Sequence, residues 1–415
     1  MSDDPTPQIH SERLPNGLTL LFEPMPWLRS LSLGMLVPMG AATDPAGQEG
    51  SATIHSEWSL KGAGQLDARA HSAAIDALGV RRGSSADRNT TNFGASLLND
   101  RFAPALPLLA SQVREPRLAD EDFEKARQMG LQELASLADQ PTARLFEALA
   151  AATFDSGHGR SPYGTAEGLA ALTPAGVRAD RADRFGAGGS ILAVAGGADW
   201  DELRQLVAEN YGSWDAAAEG PVEPVFAPVK RVHVTADTQQ MQIGLSFRAL
   251  APDHEDWLLQ SLAIDVLSGG MGARLFTEVR EKRGLVYSVG AAARALRGAG
   301  YIIGYAGTTA QRSAETLSVM LDEFRRLGDG VTHEELERAR QGRLTRLVMQ
   351  GESSGARANR LASEMYLRGR VRTLEETADD VRAVTLEQLN SWLAASRLPD
   401  PTVVTLGPDT DGTQS

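Results

Sequence analysis

The segment "FEKARQ" (123–128) returns as "LERARQ" (336–341). Two other segments return at nearly the same interval. "LTPAGV", with Thr173, is echoed by "VTLEQL", with Thr385, and "SILAVAGG", with Gly196, by "TVVTLGP", with Gly407. "LSLGMLVPMGAATDP" near the start resembles "MQIGLSFRALAPDH" from Met241. Three markers in one order at near-constant spacing describe a chain built twice from one unit. The expected division is a domain over 1–214, a linker over 215–231 and a domain over 232–415. The linker is rich in Ala, Pro and acidic residues, the composition of an extended connector.

Within the first half, strand patterns come first, helical patterns follow, and a strand closes the unit. "NGLTLLFEP" places an Asn-Gly turn ahead of an apolar strand, and "RSLSLGMLVPMG" reads as a second strand. Residues 50–62 and 68–78 read as helices, "RRGSSADRNTTNFGASLLN" as two strands, and 102–113 and 119–154 as helices. "DEDFEKARQ" concentrates acids at a helix start, and "SILAVAGG" closes the half as a strand. Grouped strands and long helices predict an α+β fold: two homologous domains, each a mostly antiparallel sheet packed with helices.

With 415 residues the chain is long enough for two full cores. Its net charge of −13 argues against nucleic-acid and anionic membrane partners. There is no Cys, which excludes disulfides, thiolate metal sites and cysteine nucleophiles. The opening "MSDDPTPQIHSERLPNGL" lacks the basic start and apolar core of a secretory leader. No apolar run approaches the length of a membrane span. The expected location is the cytoplasm.

"TIHSEWSLK" (53–61) holds a His and a Glu in a helical context. A zinc helix needs two ligands four residues apart, on one face, with a catalytic Glu between them. Here His55 faces Ser59, Thr53 faces Glu57, and His55 and Glu57 point to roughly opposite sides. The other six His are scattered, and no two stand four residues apart.

"GGMGARLFTEVREKRGLVYSVGA" (269–291) reads as a loop with Gly269, Gly270 and Gly272, a helix over "ARLFTEVREKR", a stop at Gly284 and an alternating strand "LVYSVGA". It lacks the Lys-Ser/Thr of a phosphate-binding loop. Arg280 and Tyr287 stand on either side of the helix–Gly–strand junction. On spacing alone they read as a surface Arg and a core Tyr.

Together these features resemble the pitrilysin/insulinase-type zinc peptidases, the inverted-motif class. Relatives of that class include the mitochondrial processing peptidase and the core proteins of the respiratory bc1 complex. The resemblance spans both halves and implies two peptidase-like domains forming a clamshell half. In that family the first domain carries H-x-x-E-H, followed by a basic residue and Gly. Aligned on Lys61-Gly62, Thr53 falls at the first His, Ser56 at the catalytic Glu and Glu57 at the second His. Glu133, in "GLQELAS", stands at the family's distance downstream of Glu57 and falls at the third ligand. Thr53 and Ser56 are poor replacements for a zinc ligand and a general base. Glu57 and Glu133 could retain a carboxylate pair, either solvated and Arg-paired or holding an adventitious cation.

The same resemblance gives Arg280 and Tyr287 the role of binding substrate carbonyls and the oxyanion of the tetrahedral intermediate. A charged fork and a phenol donor suit that work. In heteromeric members one subunit carries the zinc helix and the other supplies Arg and Tyr. The expectation is a catalytically silent subunit, with no metal or cofactor of its own. Its partner would be a zinc-bearing homologue with H-x-x-E-H, and its substrate a peptide that adds a strand to a sheet edge. The alternatives are a non-enzymatic scaffold or peptide-binding core-type subunit, and an active peptidase with atypical ligands.

Overall fold

The computed structural model describes residues 8–216 and 222–409. Residues 217–221, within the expected linker, lie outside them. Each half of the repeat builds one mixed sheet, and the strand orders correspond. The first sheet runs His10–Arg13, Thr19–Pro24, Ile191–Gly196, Ser30–Val37, Thr91–Leu98, Arg81–Ala86. The second runs Arg231–Thr235, Thr402–Gly407, Met241–Ala249, Ala299–Thr308, Val286–Leu296. The one parallel pairing recurs at the same place, Thr19–Pro24 with Ile191–Gly196 and Arg231–Thr235 with Thr402–Gly407. All other neighbours in these two sheets are antiparallel. The fold is α+β, as the grouped strand and helix patterns predict.

The first hairpin turns at Asn16-Gly17, where Gly17 takes φ +93°. A Cβ there would also press on the Gly188 backbone at 3.2 Å. The Asn16 amide donates to the carbonyls of Tyr211 (2.8 Å) and Trp214 (3.0 Å), tying the turn to the end of helix Trp200–Tyr211.

The expected helix over 119–154 is two helices, Asp120–Leu137 and Pro141–Thr153. Pro141 has no N–H to continue the first helix and sits at the start of the second, where none is needed. This break matters for the domain plan. The chain forms two compact units, and neither is contiguous. One comprises 1–135, 160–222 and 350–373; the other comprises 136–159, 223–349 and 374–415. The expected boundaries at 214 and 232 follow chain order, whereas packing exchanges one helix in each direction.

The exchanged helices, Pro141–Thr153 and Ser354–Arg368, are repeat-equivalents: their starts are offset by the same interval as the sequence markers. In the first unit Leu361, Ala362 and Tyr366 of the later helix pack on Leu21, Leu36, Ile191 and Ala193. In the second unit Leu145, Leu149 and Ala152 of the earlier helix pack on Ala236, Val404 and Leu406. Each helix crosses a central-strand glycine. A Cβ on Gly34 would meet Asn359 at 3.2 Å, and one on Gly244 would meet Leu145 and Leu149 at 3.2–3.3 Å. Glu23, buried at the end of Thr19–Pro24, is ion-paired with Arg357 and lies 3.6 Å from Arg360 of the incoming helix. The described part of the linker meets the second unit, where Asp155 N donates to Val225 O (2.9 Å) and Ala227 N to Thr153 O (2.8 Å).

Candidate functional site

Helix Ser51–Trp58 carries the first set of expected site residues. It starts after Gly50, which takes φ +106°. The Asp44 carboxylate caps the start, accepting from Gly50 N (2.7 Å) and Ala52 N (3.0 Å). Ile54 and Trp58 turn into a core with Phe123, Ala126 and Leu169, which fixes the helix against helix Asp120–Leu137. That packing brings Glu57 close enough to Glu133 for the two carboxylates to repel. Burial raises the Glu57 carboxyl above its ordinary pKa, Lys61 opposes the rise and the Glu133 charge adds to it. Thr53 Oγ1 donates to Pro162 O (2.6 Å). Ser56 is buried, and its hydroxyl has no hydrogen-bond partner among the described residues.

His55 points away from this group, into the core. It packs on Phe185 with ring centroids 4.7 Å apart. Its Nε2 accepts from Arg181 Nη1 (3.0 Å) and lies 3.2 Å from Ser59 Oγ, the i+4 neighbour expected from helical spacing. Burial, then the charges of Arg181 and Arg184, push its pKa well below the ordinary value, so His55 is neutral.

The donor set on this side of the helix is therefore two carboxylates and two hydroxyls, of which that of Ser56 is buried. Zinc in peptidase-type sites takes imidazole nitrogen for most of its ligands. These residues do not fit that ion, and among the described residues no three His, Cys, Asp or Glu side chains converge. Thr53→His, Ser56→Glu and Glu57→His together would recreate two imidazole ligands and a base beside Glu133. This triple variant is expected to take up zinc by elemental analysis while the unaltered chain does not. Uptake no greater than that of the unaltered chain would show that the residues are matched to the wrong positions.

Behind the helix lies a buried charge network that local sequence reasoning missed. Arg184 pairs with Asp180 and lies 3.4 Å from Asp44, and Ser51 donates to Asp180. Asp180 and Arg184 belong to helix Pro174–Arg184, far from Asp44 along the chain, so no local spacing could signal them. Burial pushes the Asp44 carboxyl up to about 6, although Arg184 and two backbone N–H groups favour its charged form. A raised folded-state pKa means the native chain binds more protons than the unfolded chain between the unfolded value of about 4 and about 6. Asp44 therefore costs stability above that window and ceases to cost it below. Compared with Asp44→Asn, the original chain is expected to gain roughly 2–3 kcal/mol of relative stability between pH 7 and pH 4. Urea unfolding of both proteins across that range measures the difference; a pH-independent difference refutes it.

Strand Arg81–Ala86 ends the first sheet and lies beside the site helix, with Ser84 Oγ donating to Ser56 O (3.0 Å). Its other edge pairs with no strand among the described residues, so it offers free backbone donors and acceptors.

The second set of residues lies in the other unit. Gly269 ends helix Trp257–Ser268, its N–H donating to Asp265 O (2.6 Å), and a Cβ there would collide with that carbonyl. A Cβ on Gly272 would press on Arg338 at 2.9 Å, whereas Gly270 faces open space. Two of the three glycines thus have packing reasons. The expected regular helix over "ARLFTEVREKR" is instead a π-helical turn, Phe276–Glu281, the wider form that recurs at functional sites. Gly284, at φ +61°, ends it as expected, donating to Arg280 O (3.0 Å).

The strand that follows does not alternate at its start. The register of Val286–Leu296 against Ala299–Thr308 shifts between Val286 and Ser288, so Tyr287 is the extra residue of a bulge. Tyr287 and Ser288 are consequently both exposed, and Tyr287 is 62% accessible. A bulge re-aims a side chain in this way. Around it, Glu278 holds Lys282 (2.6 Å) and Arg283 (2.8 Å), and Glu335 holds Arg274 (2.6 Å). Arg280 is left with no carboxylate; its guanidinium lies over the Phe276 ring at 5.0 Å. Neither Arg280 nor the Tyr287 hydroxyl has a hydrogen-bond partner among the described residues.

Residues 25–166 match the sequence profile of the Insulinase (Peptidase family M16) and residues 174–343 that of the Peptidase M16 inactive domain. The chain belongs to the M16, insulinase-type, peptidase family. It is 30% identical over 398 residues to an uncharacterized zinc protease of Mycobacterium tuberculosis, covering 94% of this chain and 91% of that one. It is 27% identical over 381 residues to YmxG, an uncharacterized zinc protease of Bacillus subtilis, covering 90% and 92%. The fold is similar to that of a solved peptidase M16 inactive domain from Pseudomonas fluorescens. There the TM-score is 0.87 at 22% identity, with 98% of this chain and 100% of that one covered. A protease from Helicobacter pylori is similar at a TM-score of 0.87 and 18% identity, with 97% and 100% covered.

Proposed function

We propose that this chain is the catalytically silent subunit of a two-subunit M16 peptidase and lends Arg280 and Tyr287 to a zinc site on a homologous partner. The observation that carries the reading is a contrast within one chain. The helix that should hold zinc offers hydroxyls and carboxylates. The substrate-binding pair is exposed, aimed by a π turn and a bulge, and left without a carboxylate or hydrogen-bond partner among the described residues. Irregular backbone of this kind costs stability and is retained where a side chain must be aimed.

In this reading the substrate is an extended peptide that adds a strand to a sheet edge through main-chain hydrogen bonds. The zinc and the general base belong to the partner, which supplies the attacking water. Arg280 and Tyr287 donate to the peptide carbonyl and, more strongly, to the oxyanion that forms from it. Among the described residues no helix is long and apolar enough to cross a membrane; a cytoplasmic location is part of the proposal. The test is to assay this chain, a zinc-bearing H-x-x-E-H homologue from the same cell, and their mixture on peptides. Turnover is expected from the mixture only. Zinc bound stoichiometrically by this chain, with chelator-sensitive cleavage in the absence of any partner, would overturn the proposal.

A further inference from the structure

The unit that contains Arg280 also holds a cavity of about 490 Å³. It opens to solvent, and its volume falls in the range of small-molecule sites, roughly 300 to 1,000 Å³. The cavity lies over one face of the second sheet. Phe247, Ile264, Ile302, Phe324, Trp392 and Leu398 wall it. Neither the glycine loop nor Arg280 and Tyr287 contribute to it.

Two polar groups give the cavity direction. Gln260 lines it and is 2% exposed. Its Oε1 accepts from Leu250 N (3.0 Å), so the amide is oriented, and its Nε2 has no partner among the described residues. A buried donor left unpaired is costly, and a ligand acceptor would satisfy it. Arg397 lies at the exposed rim and forms no ion pair among the described residues. The other rim cation, Arg325, is held by Asp322 at 2.9 Å. Asp329 and Asp400 stand on the same rim, so two carboxylates face the one rim cation without an ion pair among the described residues. The rim as a whole does not attract anions, and a single negative charge is held only by direct contact with Arg397.

We infer that this cavity is a binding site for a small amphipathic monoanion. Its apolar body lies on the aromatic and aliphatic walls, a hydrogen-bond acceptor at its inner end meets Gln260 Nε2, and its anionic group meets Arg397. The inference does not depend on the proposed peptidase role, because no residue is shared.

The probes are anilinonaphthalene sulfonate as reporter, decanoate and ω-hydroxydecanoate as competitors, and decylamine as the cationic counterpart, all with the full chain. The dye is expected to bind saturably at one equivalent, quenching tryptophan emission through Trp392. Decanoate should displace it, and ω-hydroxydecanoate should do so at lower concentration. Arg397→Ala is expected to weaken decanoate about tenfold, the loss of one charge-assisted contact. Gln260→Leu should abolish the preference for the hydroxylated acid, and Ala263→Leu, which fills the cavity, should abolish dye binding. Arg397 is exposed, so its variant tests the site even if Ala263→Leu fails to fold. Non-saturable dye uptake, competition by decylamine equal to decanoate, or binding unchanged in Arg397→Ala would overturn the inference. A preference for the hydroxylated acid that survives in Gln260→Leu would overturn the inner contact.

Discussion

Residues 1–214 produced alone are expected not to form the native first unit. The reason is the helix that unit borrows. Ser354–Arg368 covers one face of the first sheet, where Leu21, Leu36, Ile191 and Ala193 meet Leu361, Ala362 and Tyr366. Each large apolar side chain so buried contributes about 1.5–3 kcal/mol. Removing the helix also strands Glu23, whose charge is buried and balanced by Arg357 and Arg360. Breaking a buried pair from one side costs about 3–5 kcal/mol. Together these losses match the whole stability of an ordinary domain, about 5–15 kcal/mol. The isolated segment should retain far-UV signal, lose near-UV signal and bind hydrophobic dye, the marks of a state without fixed packing. Residues 1–231 and 232–415 expressed together should recover a folded assembly, because each half then receives its helix. A monomeric 1–214 with one cooperative unfolding transition would show that the exchanged helix is dispensable.

This exchange marks the limit of what the repeat conveys. The near-constant offset between the halves correctly pairs the strands Ile191–Gly196 and Thr402–Gly407, and the two sheets share one order. The same offset pairs helices Pro141–Thr153 and Ser354–Arg368. Nothing in their amphipathic pattern says which sheet each will cover, since both sheets present similar aliphatic faces. The break before Pro141, the local signal that frees the helix, is absorbed by strong helical propensity on either side.

The site divides along similar lines. Helical spacing alone turns His55 toward Ser59 and away from Glu57, and in the folded chain His55 lies 3.2 Å from the Ser59 hydroxyl. The approach of Glu133 to Glu57 depends on Ile54 and Trp58 packing on Phe123 and Ala126, a tertiary event. Arg181, which helps to hold His55 neutral, arrives from a distant helix, Pro174–Arg184. The π turn and the bulge are departures from period, so a reading based on period smooths them into a helix and a strand. They nevertheless set how Arg280 and Tyr287 are presented.

Mixed with a zinc-bearing partner, Tyr287→Phe and Arg280→Ala are each expected to lower peptide turnover by about 10²–10³, the usual effect of removing one preorganised oxyanion donor. The two variants should differ in how the loss is distributed. Tyr287→Phe removes a hydroxyl that is exposed and has no partner among the described residues, while the ring remains at the bulge. Its loss should fall on kcat, with KM and melting temperature little changed, because the donor acts mainly on charge that develops in the transition state. Arg280→Ala removes a permanent charge and its contact with the Phe276 ring. It should raise KM as well, since a guanidinium also engages the ground-state carbonyl. Stability should move little, because no carboxylate among the described residues depends on Arg280: Glu278 keeps Lys282 and Arg283. Arg280→Lys would separate charge from geometry; it preserves the charge but loses the planar fork, and should recover binding more than turnover. The measurements are steady-state kinetics beside thermal unfolding for each variant in the mixture. If Tyr287→Phe and Arg280→Ala both support unaltered turnover at unaltered stability, the exposed pair does not complete a partner's active site, and a scaffold or peptide-binding role is the better account of the chain.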